Sequence, residues 1–513
     1  MENPTPQEFE PTWESLSHYQ TPEWFRDAKF GLWAHWGPQC EPERGDWYAR
    51  GMYIEGDQKY ADHIEQYGHP SEFGFKDVIR AWKAENWDPD SLLALYKRVG
   101  AEYFVALANH HDNFDLWDST HQPWNSTVMG PNRNIVAEWA EAAKKHGLTF
   151  GVSVHASHAW SWYESSQGAD TTGKYAGIPY DGKLTQADGT GTWWEGYDPQ
   201  DLYAQNHLPT PMETNMWSVI KHWEWGNGYP APSEAYCENF FNRTMELIEK
   251  YSPDLVYFDD TVLPMHPVSD VGLRIAAQYY SANPNAVLNG KVLSDEQKKT
   301  MVWDIERGQS PDIEPLPWQT CTCLGDWHYK QSIYDNREYK SAKTVIQMLV
   351  DVVSKNGNLL LSVPLRGDGT PDDQEVAILE EIAEWMAVHR ECLIGTRPWV
   401  VAGEGPSMAS AKPLNAQGFN EGTALPNTAA DLRFTHQGDD LYVLALGLPE
   451  GDIWVDSLGL AKGNLSLPIS KIEMLGESGE VAFTHTDVAL IIHAQPGAGN
   501  SSATAFRVTT SQI

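Results

Sequence analysis

Residues able to do chemistry recur in one place along this chain, at the end of an apolar run. His35 ends KFGLWAH, His110 and His111 end YFVALANHH, and His155 ends TFGVSVH. Asp259 and Asp260 end LVYFDD, and Asn289 ends AVLN. Carboxylates and imidazoles in this mixture support two chemistries. Paired carboxyl groups cleave glycosides: one, ionised, meets an oxocarbenium-like carbon while the other delivers a proton to the departing oxygen. Histidines beside carboxylates also hold divalent metals. Adjacent residues on a strand face opposite sides, so a single metal rarely takes both His110 and His111. Imidazoles also donate to and accept from hydroxyl groups, the reading favoured for this pair. Asp259 is a candidate nucleophile, although an Asp-Asp pair after a strand also suits the cap of a following helix.

Those run ends need a frame that gathers them. Near-continuous apolar runs at 29–37, 103–111, 149–156, 255–260, 286–290 and 358–365 suit parallel strands buried on both faces. Between them PDSLLALYKRVGA, NIVAEWAEAAKKHG and TVIQMLVDVVSKNG have helical spacing, the last two ending in basic residues and then a glycine stop. The alternation predicts an α/β fold, a TIM-type (β/α) barrel over residues 1–395, whose active face is the C-terminal end of its strands. Residues from about 160 to 235, rich in Gly, Asp and aromatics, predict a long active-site loop, with Trp193 and Trp194 as candidates for a sugar-stacking wall. Residues 396–430 read as a connection. Beyond it DLRFTHQGDDLYVLALG alternates around a Gly-Asp turn, and KIEMLG, VAFTHTDVALIIHA and AFRVTT continue the pattern, predicting a C-terminal antiparallel β-sandwich at 431–513.

Composition narrows the partners. A net charge of −35 repels nucleic acid and anionic membranes, and an acidic substrate needs a local basic site to overcome it. No apolar run approaches the roughly 18 residues of a membrane span. Five cysteines in 513 residues make no disulfide framework. The first residues, MENPTPQEFEPTWESL, lack a charged and then apolar leader. The expectation is a secreted or periplasmic protein whose signal peptide has been removed, or otherwise a cytoplasmic one. Oligomeric state is not legible.

Several segments then resemble one family. AKFGLWAHWGPQCEPERGDWYARGMY is similar to the opening of the glycoside hydrolase family 29 α-L-fucosidases, with their K-F-G-x-x-x-H-W-G and acidic-W-Y-x-x-x-M-Y motifs. GAEYFVALANHHDNFDLWDSTHQPWNSTVMGPNRNIV resembles the second strand and its loop. SPDLVYFDDTVLP resembles the strand ending in the nucleophile, PWQTCTCLGDWHY a later motif, SKNGNLLLSVPLRGDGT the last barrel strand, and LIGTRPW with GEGP the exit into the sandwich. The resemblance spans most of residues 24–445. It implies a retaining exo-α-L-fucosidase acting on fucose-containing glycans, with no cofactor and no metal.

The same match implies roles for individual residues. Asp259 is the nucleophile. His35, Trp47, His110 and His111 bind the sugar, Tyr257 shapes the pocket floor, and Trp327 packs near the fucose methyl. Three departures matter. Gln319 stands where many relatives have Glu, and an amide is no proton donor, so Glu306 in WDIERG is the expected general acid/base, ahead of Asp304 and Glu314. His155 lies where many relatives have a Tyr-Tyr-Ser run and takes over a pocket contact. Asp46 replaces a Glu and binds a hydroxyl. Two rival readings are a non-catalytic fucose-binding barrel and a metal-dependent barrel hydrolase. Fucosyl linkage, sulfation of the substrate and α-L-galactosidase side activity are not fixed by these motifs.

Overall fold

In the computed structural model of the chain, the residues described are 8–204, 207, 216, 223, 225, 231–412, 414, 420–423, 425–465 and 467–511. Eight parallel strands pair in chain order: β1 (Phe30–Ala34), β2 (Tyr103–Asn109), β3 (Thr149–Val154), β4 (Leu255–Phe258), β5 (Val287–Gly290), β6 (Val302–Glu306), β7 (Trp318–Cys323) and β8 (Gly357–Ser362). β8 returns to β1 and closes the barrel. Six of these strands are the apolar runs of the sequence. β6 and β7 are not, because their inward positions are polar: Asp304 and Glu306 on one, Gln319 on the other.

The barrel interior explains that departure. Trp33, Val105, Leu255, Tyr257, Val287, Val302 and Leu360 fill much of it. The ring of Tyr103 lies across β1 so closely that a Cβ on Gly31 would stand 2.3 Å from its Cζ, so β1 needs glycine there. Tyr103 donates to Gln319 Oε1 (2.9 Å), Gln319 Nε2 donates to Asp304 Oδ1 (2.9 Å), and Tyr257 donates to Asp304 Oδ2 (3.2 Å). Each buried polar group in this ladder meets a partner, which makes a partly polar interior tolerable.

The helices cover the outside. Asp88 caps Pro89–Arg98 by accepting from Asp90 and Ser91 amides, and Gly147 (φ 65°) stops Ile135–His146. The helix Ala342–Ser354 ends differently from the sequence expectation. Asn356 takes the left-handed turn (φ 74°), and Gly357 instead opens β8, where a Cβ would meet the Trp318 ring at 2.6 Å.

The C-terminal strands are β9 (Arg397–Glu404), β10 (Leu432–Gln437), β11 (Asp440–Ala445), β12 (Ile453–Val455), β13 (Ile469–Met474), β14 (Phe483–His485), β15 (Leu490–Ile492) and β16 (Thr504–Thr510). They form antiparallel sheets of order β13-β16-β11-β10-β9 and β12-β15-β14 around one apolar core. The β10–β11 hairpin turns at Gly438 (φ 58°) and Asp439, as the alternation predicts. β9, the edge strand, lies inside 396–430. A buried ion cluster locks the sheet to the barrel: Asp351 of the helix 342–354 takes Arg433 Nε at 2.6 Å and Lys355 Nζ at 2.7 Å. Stripping a partner from such a cluster leaves an uncompensated charge, at a cost of about 3–5 kcal/mol.

The segment 160–235 is not one open loop where it is described. It contains the helices Ala159–Trp162 and Pro199–Tyr203, and Asp181 pins it by accepting from Tyr53 (2.6 Å), Tyr203 (2.6 Å) and Lys76 (3.1 Å). Within that segment, residues 205–206, 208–215, 217–222, 224 and 226–230 lie outside the described residues. Among the described residues no helix is long and apolar enough to cross a membrane. All five cysteines are buried thiols.

Candidate active site

Most of the polar strand ends, His35, His110, His155, Asp259 and Asp260 but not His111 or Asn289, meet in one cavity of about 520 Å³ at the C-terminal mouth of the barrel. Its lining includes His35, Asp46, Trp47, His110, His155, Tyr257, Asp259, Glu306 and Trp327. Local sequence sets their aim. Asn109, the last residue of β2, donates to Asp115 (2.9 Å) and accepts from the amides of His155 (3.1 Å) and Ala156 (3.2 Å), tying the ends of β2 and β3 together. Asp115 in turn is clamped by Arg243 of the helix Glu234–Tyr251, with both side chains buried. Trp47 adopts a left-handed backbone (φ 61°), uncommon for a bulky residue, and its ring stacks on Trp223 at 5.8 Å.

The histidines present defined faces. Gln39 Oε1 accepts from the Ala49 amide (3.2 Å), so Gln39 Nε2 donates to His110 Nδ1 (2.8 Å). The His110 proton is therefore on Nε2, ready to be given to a substrate oxygen. His35 Nδ1 lies 3.0 Å from Ser362 Oγ. Burial and neighbouring histidines hold His35 and His110 well below the ordinary imidazole range, and burial lowers His155 to about 4. At neutral pH these three rings are uncharged, suited to hydroxyl groups.

His111 is placed differently from expectation. Its side chain is fully buried and does not line the cavity. Nδ1 faces the His155 carbonyl at 2.8 Å and Nε2 faces Asp259 Oδ2 at 3.0 Å. Both nitrogens are spent on acceptors within the protein, so His111 orients Asp259 and has no atom left for a sugar hydroxyl.

Asp259 and Glu306 face each other through a residue that the sequence reading missed. Lys291, two positions past Asn289 of β5, bonds Asp259 Oδ1 and also Glu306 Oε2 (2.5 Å). His155 Nδ1 lies 3.4 Å from Asp259 Oδ2. Burial alone would raise the Asp259 carboxyl. The Lys291 ammonium and the two histidines outweigh it and hold that carboxyl well below the usual carboxylate range. Burial pulls Lys291 the other way, yet the two carboxylates keep it well above the ordinary lysine range.

The neighbours sort the remaining candidates. Asp260 turns away from Asp259 and accepts from Ser157 Oγ (2.6 Å), with His158 Nε2 2.8 Å away. Burial raises Asp304 to about 6, but it sits in the ladder below Tyr257 and not in the cavity lining. Glu314 accepts from Ser310 (2.6 Å), also off the cavity lining. Trp193 and Trp194 are not a sugar wall: Trp193 donates to Asp77 (2.8 Å), Trp194 is buried, and neither lines the cavity. Trp33 and Trp223 do. Also unforeseen are Asp326 and His328, the latter 2.7 Å from Asp46 Oδ1.

Among the described residues two groups bring ligand atoms close enough for a metal: His110, His111 and His155, and Asp46, His110 and His328. The first loses His111 to the contacts just described. In the second, His328 Nδ1 already lies 2.7 Å from Asp46 Oδ1 and His110 holds its proton on Nε2, an arrangement that suits a hydroxyl better than a cation.

A family model described as Alpha-L-fucosidase matches residues 1–391. The tissue alpha-L-fucosidase of Homo sapiens is 24% identical over 503 residues, covering 95% of this chain and 88% of that protein. The tissue alpha-L-fucosidase of Bos taurus is 25% identical over 410 residues, 79% of this chain and 75% of that protein. Among solved structures, the Thermotoga maritima alpha-fucosidase in complex with fucose superposes with a TM-score of 0.68 at 23% identity, covering 98% of this chain and 100% of that one. At that identity the structural likeness speaks for the fold.

Proposed function

Because the chain belongs to the α-L-fucosidase family, we propose that it is a glycoside hydrolase releasing terminal α-L-fucosyl residues from glycans with retention, Asp259 attacking and Glu306 exchanging the proton. The observation that carries this reading is the single ammonium of Lys291 shared by both carboxylates. One ammonium bridging both carboxylates draws them close together, which favours a retaining pair, spaced about 5–5.5 Å, over an inverting pair, which needs roughly 6.5–9.5 Å to admit water. Lys291 and His111 support Asp259 as the ionised partner. Among the described residues Glu306 shares the ammonium but neither histidine, which leaves it the proton-transfer role. In the first step Asp259 bonds to the anomeric carbon as Glu306 protonates the departing oxygen. In the second, Glu306 takes a proton from water, which displaces Asp259. His35, His110, His155 and Asp46 engage the ring hydroxyls, and Trp33 and Trp327 give an aromatic wall for its apolar edge.

The test is hydrolysis of an aryl α-L-fucoside followed by NMR, with EDTA in a parallel tube. α-L-Fucose appears first, ahead of mutarotation, and the chelator changes nothing. Initial β-L-fucose, or loss of turnover with EDTA, rejects the mechanism.

Lys291 gives a second expected result. In Lys291→Met two carboxylates face each other with no cation between them, and the Asp259 carboxyl rises. An ionised nucleophile is then lost earlier on acidification, so the acid limb of kcat/KM moves to higher pH by about 1–3 units. An unmoved limb means that Lys291 does not set the charge of Asp259.

A further inference from the structure

A second cavity, of about 570 Å³, lies at the seam between barrel and sandwich, against the helix 342–354 and residues of the connecting stretch. In a chain of net charge −35 its lining is the reverse sign: Lys340, Lys343, Lys355, Lys412 and Arg433 against Asp351 and Glu421. Asp351 balances one of its two partners, Arg433 and Lys355, and leaves one positive charge over. Glu421 is shared by Lys340 (3.3 Å) and Arg307 (3.4 Å). Lys343 and Lys412 have no carboxylate within ion-pair distance among the described residues, and both are exposed.

The position of this cavity gives it meaning. Arg307 follows the proposed acid Glu306, lines the first cavity, and adopts a left-handed backbone (φ 47°). Its carbonyl accepts from the Glu421 amide (3.0 Å), and its guanidinium meets the Glu421 carboxylate, which lines the second cavity. The connecting stretch is also tied there by Gln309, whose amide donates to Asn420 (2.8 Å). One ion pair therefore stands between the two cavities, next in the chain to the proposed acid, which faces the leaving oxygen.

We propose that the seam cavity is a subsite for an anionic sugar on the leaving-group side of the fucosyl bond, its sulfate ester or carboxylate received by Lys343 and Lys412. This rests on the fucosidase reading and deepens it. The net field of the protein repels acids in general, so the pocket selects a short glycan with one or two charges and not a long polyanion. Lysine ammoniums act as point charges and discriminate little between the two anions.

The experiment compares three fucosylated disaccharides of one linkage, with a neutral, a singly sulfated or a uronic-acid reducing residue. In the parent enzyme kcat/KM is about tenfold higher for an acidic substrate than for the neutral one, as expected of two exposed charge contacts, and the gain shrinks with added salt. The arm showing the larger gain identifies the anion. In Lys343→Ala/Lys412→Ala the acidic-to-neutral ratio falls to about one, and Lys343→Arg/Lys412→Arg restores it. Because the readout is a ratio, a general loss of folded protein does not mimic the effect. Equal use of all three substrates by the parent, or an unchanged ratio in the alanine variant, overturns the subsite and leaves the fucosidase reading standing. Failure to cleave all three disaccharides and an aryl fucoside as well overturns both.

Discussion

Asp259→Ala is expected to lose about 10⁴-fold or more in kcat/KM while remaining folded, because no other group can form the bond to the anomeric carbon. Survival of the fold follows from the contacts left behind. Lys291 keeps Glu306, and His111 keeps the His155 carbonyl, so each retains a partner. The vacated space lies beside an ammonium and suits a small anion. Azide entering there attacks from the face that Asp259 used, and a single displacement on an α-fucoside gives the β-L-fucosyl azide. Circular dichroism melts, aryl fucoside kinetics and the anomer of the azide product check the three parts separately. Turnover within tenfold of the parent removes Asp259 from the mechanism, and an α-azide product means that the anion entered from elsewhere.

What the sequence made legible follows from how each element is buried. Strands packed on both faces must be apolar, so β1–β5 and β8 stand out as runs, and their polar ends mark the mouth of the barrel. β6 and β7 line the barrel with Asp304, Glu306 and Gln319, which erases the apolar signal in the strand that carries the proposed acid. Glu306 is legible only through the resemblance and the amide at Gln319. Lys291 left no trace, because one lysine after a four-residue strand looks like any solvated loop charge, and only the fold brings it between two carboxylates. Adjacency hid the difference between His110 and His111: the chain direction at a strand end sends one ring into the cavity and the other behind Asp259. Trp193 and Trp194 misled for a related reason. Two tryptophans in a Gly-rich segment fit a sugar wall equally well as a packing plug, and Asp77 and Arg80 of a neighbouring helix claim Trp193. β9 escaped notice because it is an edge strand, half-exposed through most of its length, with little periodic contrast to read.

Glu306→Gln separates proton transfer from nucleophilic attack. The amide keeps the shape of the side chain and an oxygen for Lys291 to bond, but it carries no acidic proton. Sugar leaving groups need that proton, so their turnover falls by about 10²–10⁴-fold. An aryl fucoside with an acidic phenol departs unaided and loses far less in its first step. Its second step still lacks the base that activates water, so the fucosyl-enzyme accumulates and phenol is released in a burst. Azide needs no base and relieves that block. It displaces Asp259 after one inversion has already occurred, so the product is the α-L-fucosyl azide, the opposite anomer from that expected of Asp259→Ala. Asp304 is the control: burial holds its carboxyl near 6, a tempting value for an acid, yet its oxygens are taken by Gln319, Tyr257 and Cys321 below the cavity. Equal losses in kcat/KM on sugar and aryl substrates in Glu306→Gln, or the leaving-group dependence appearing in Asp304→Asn instead, would move the proton from the rim of the barrel to the ladder beneath it.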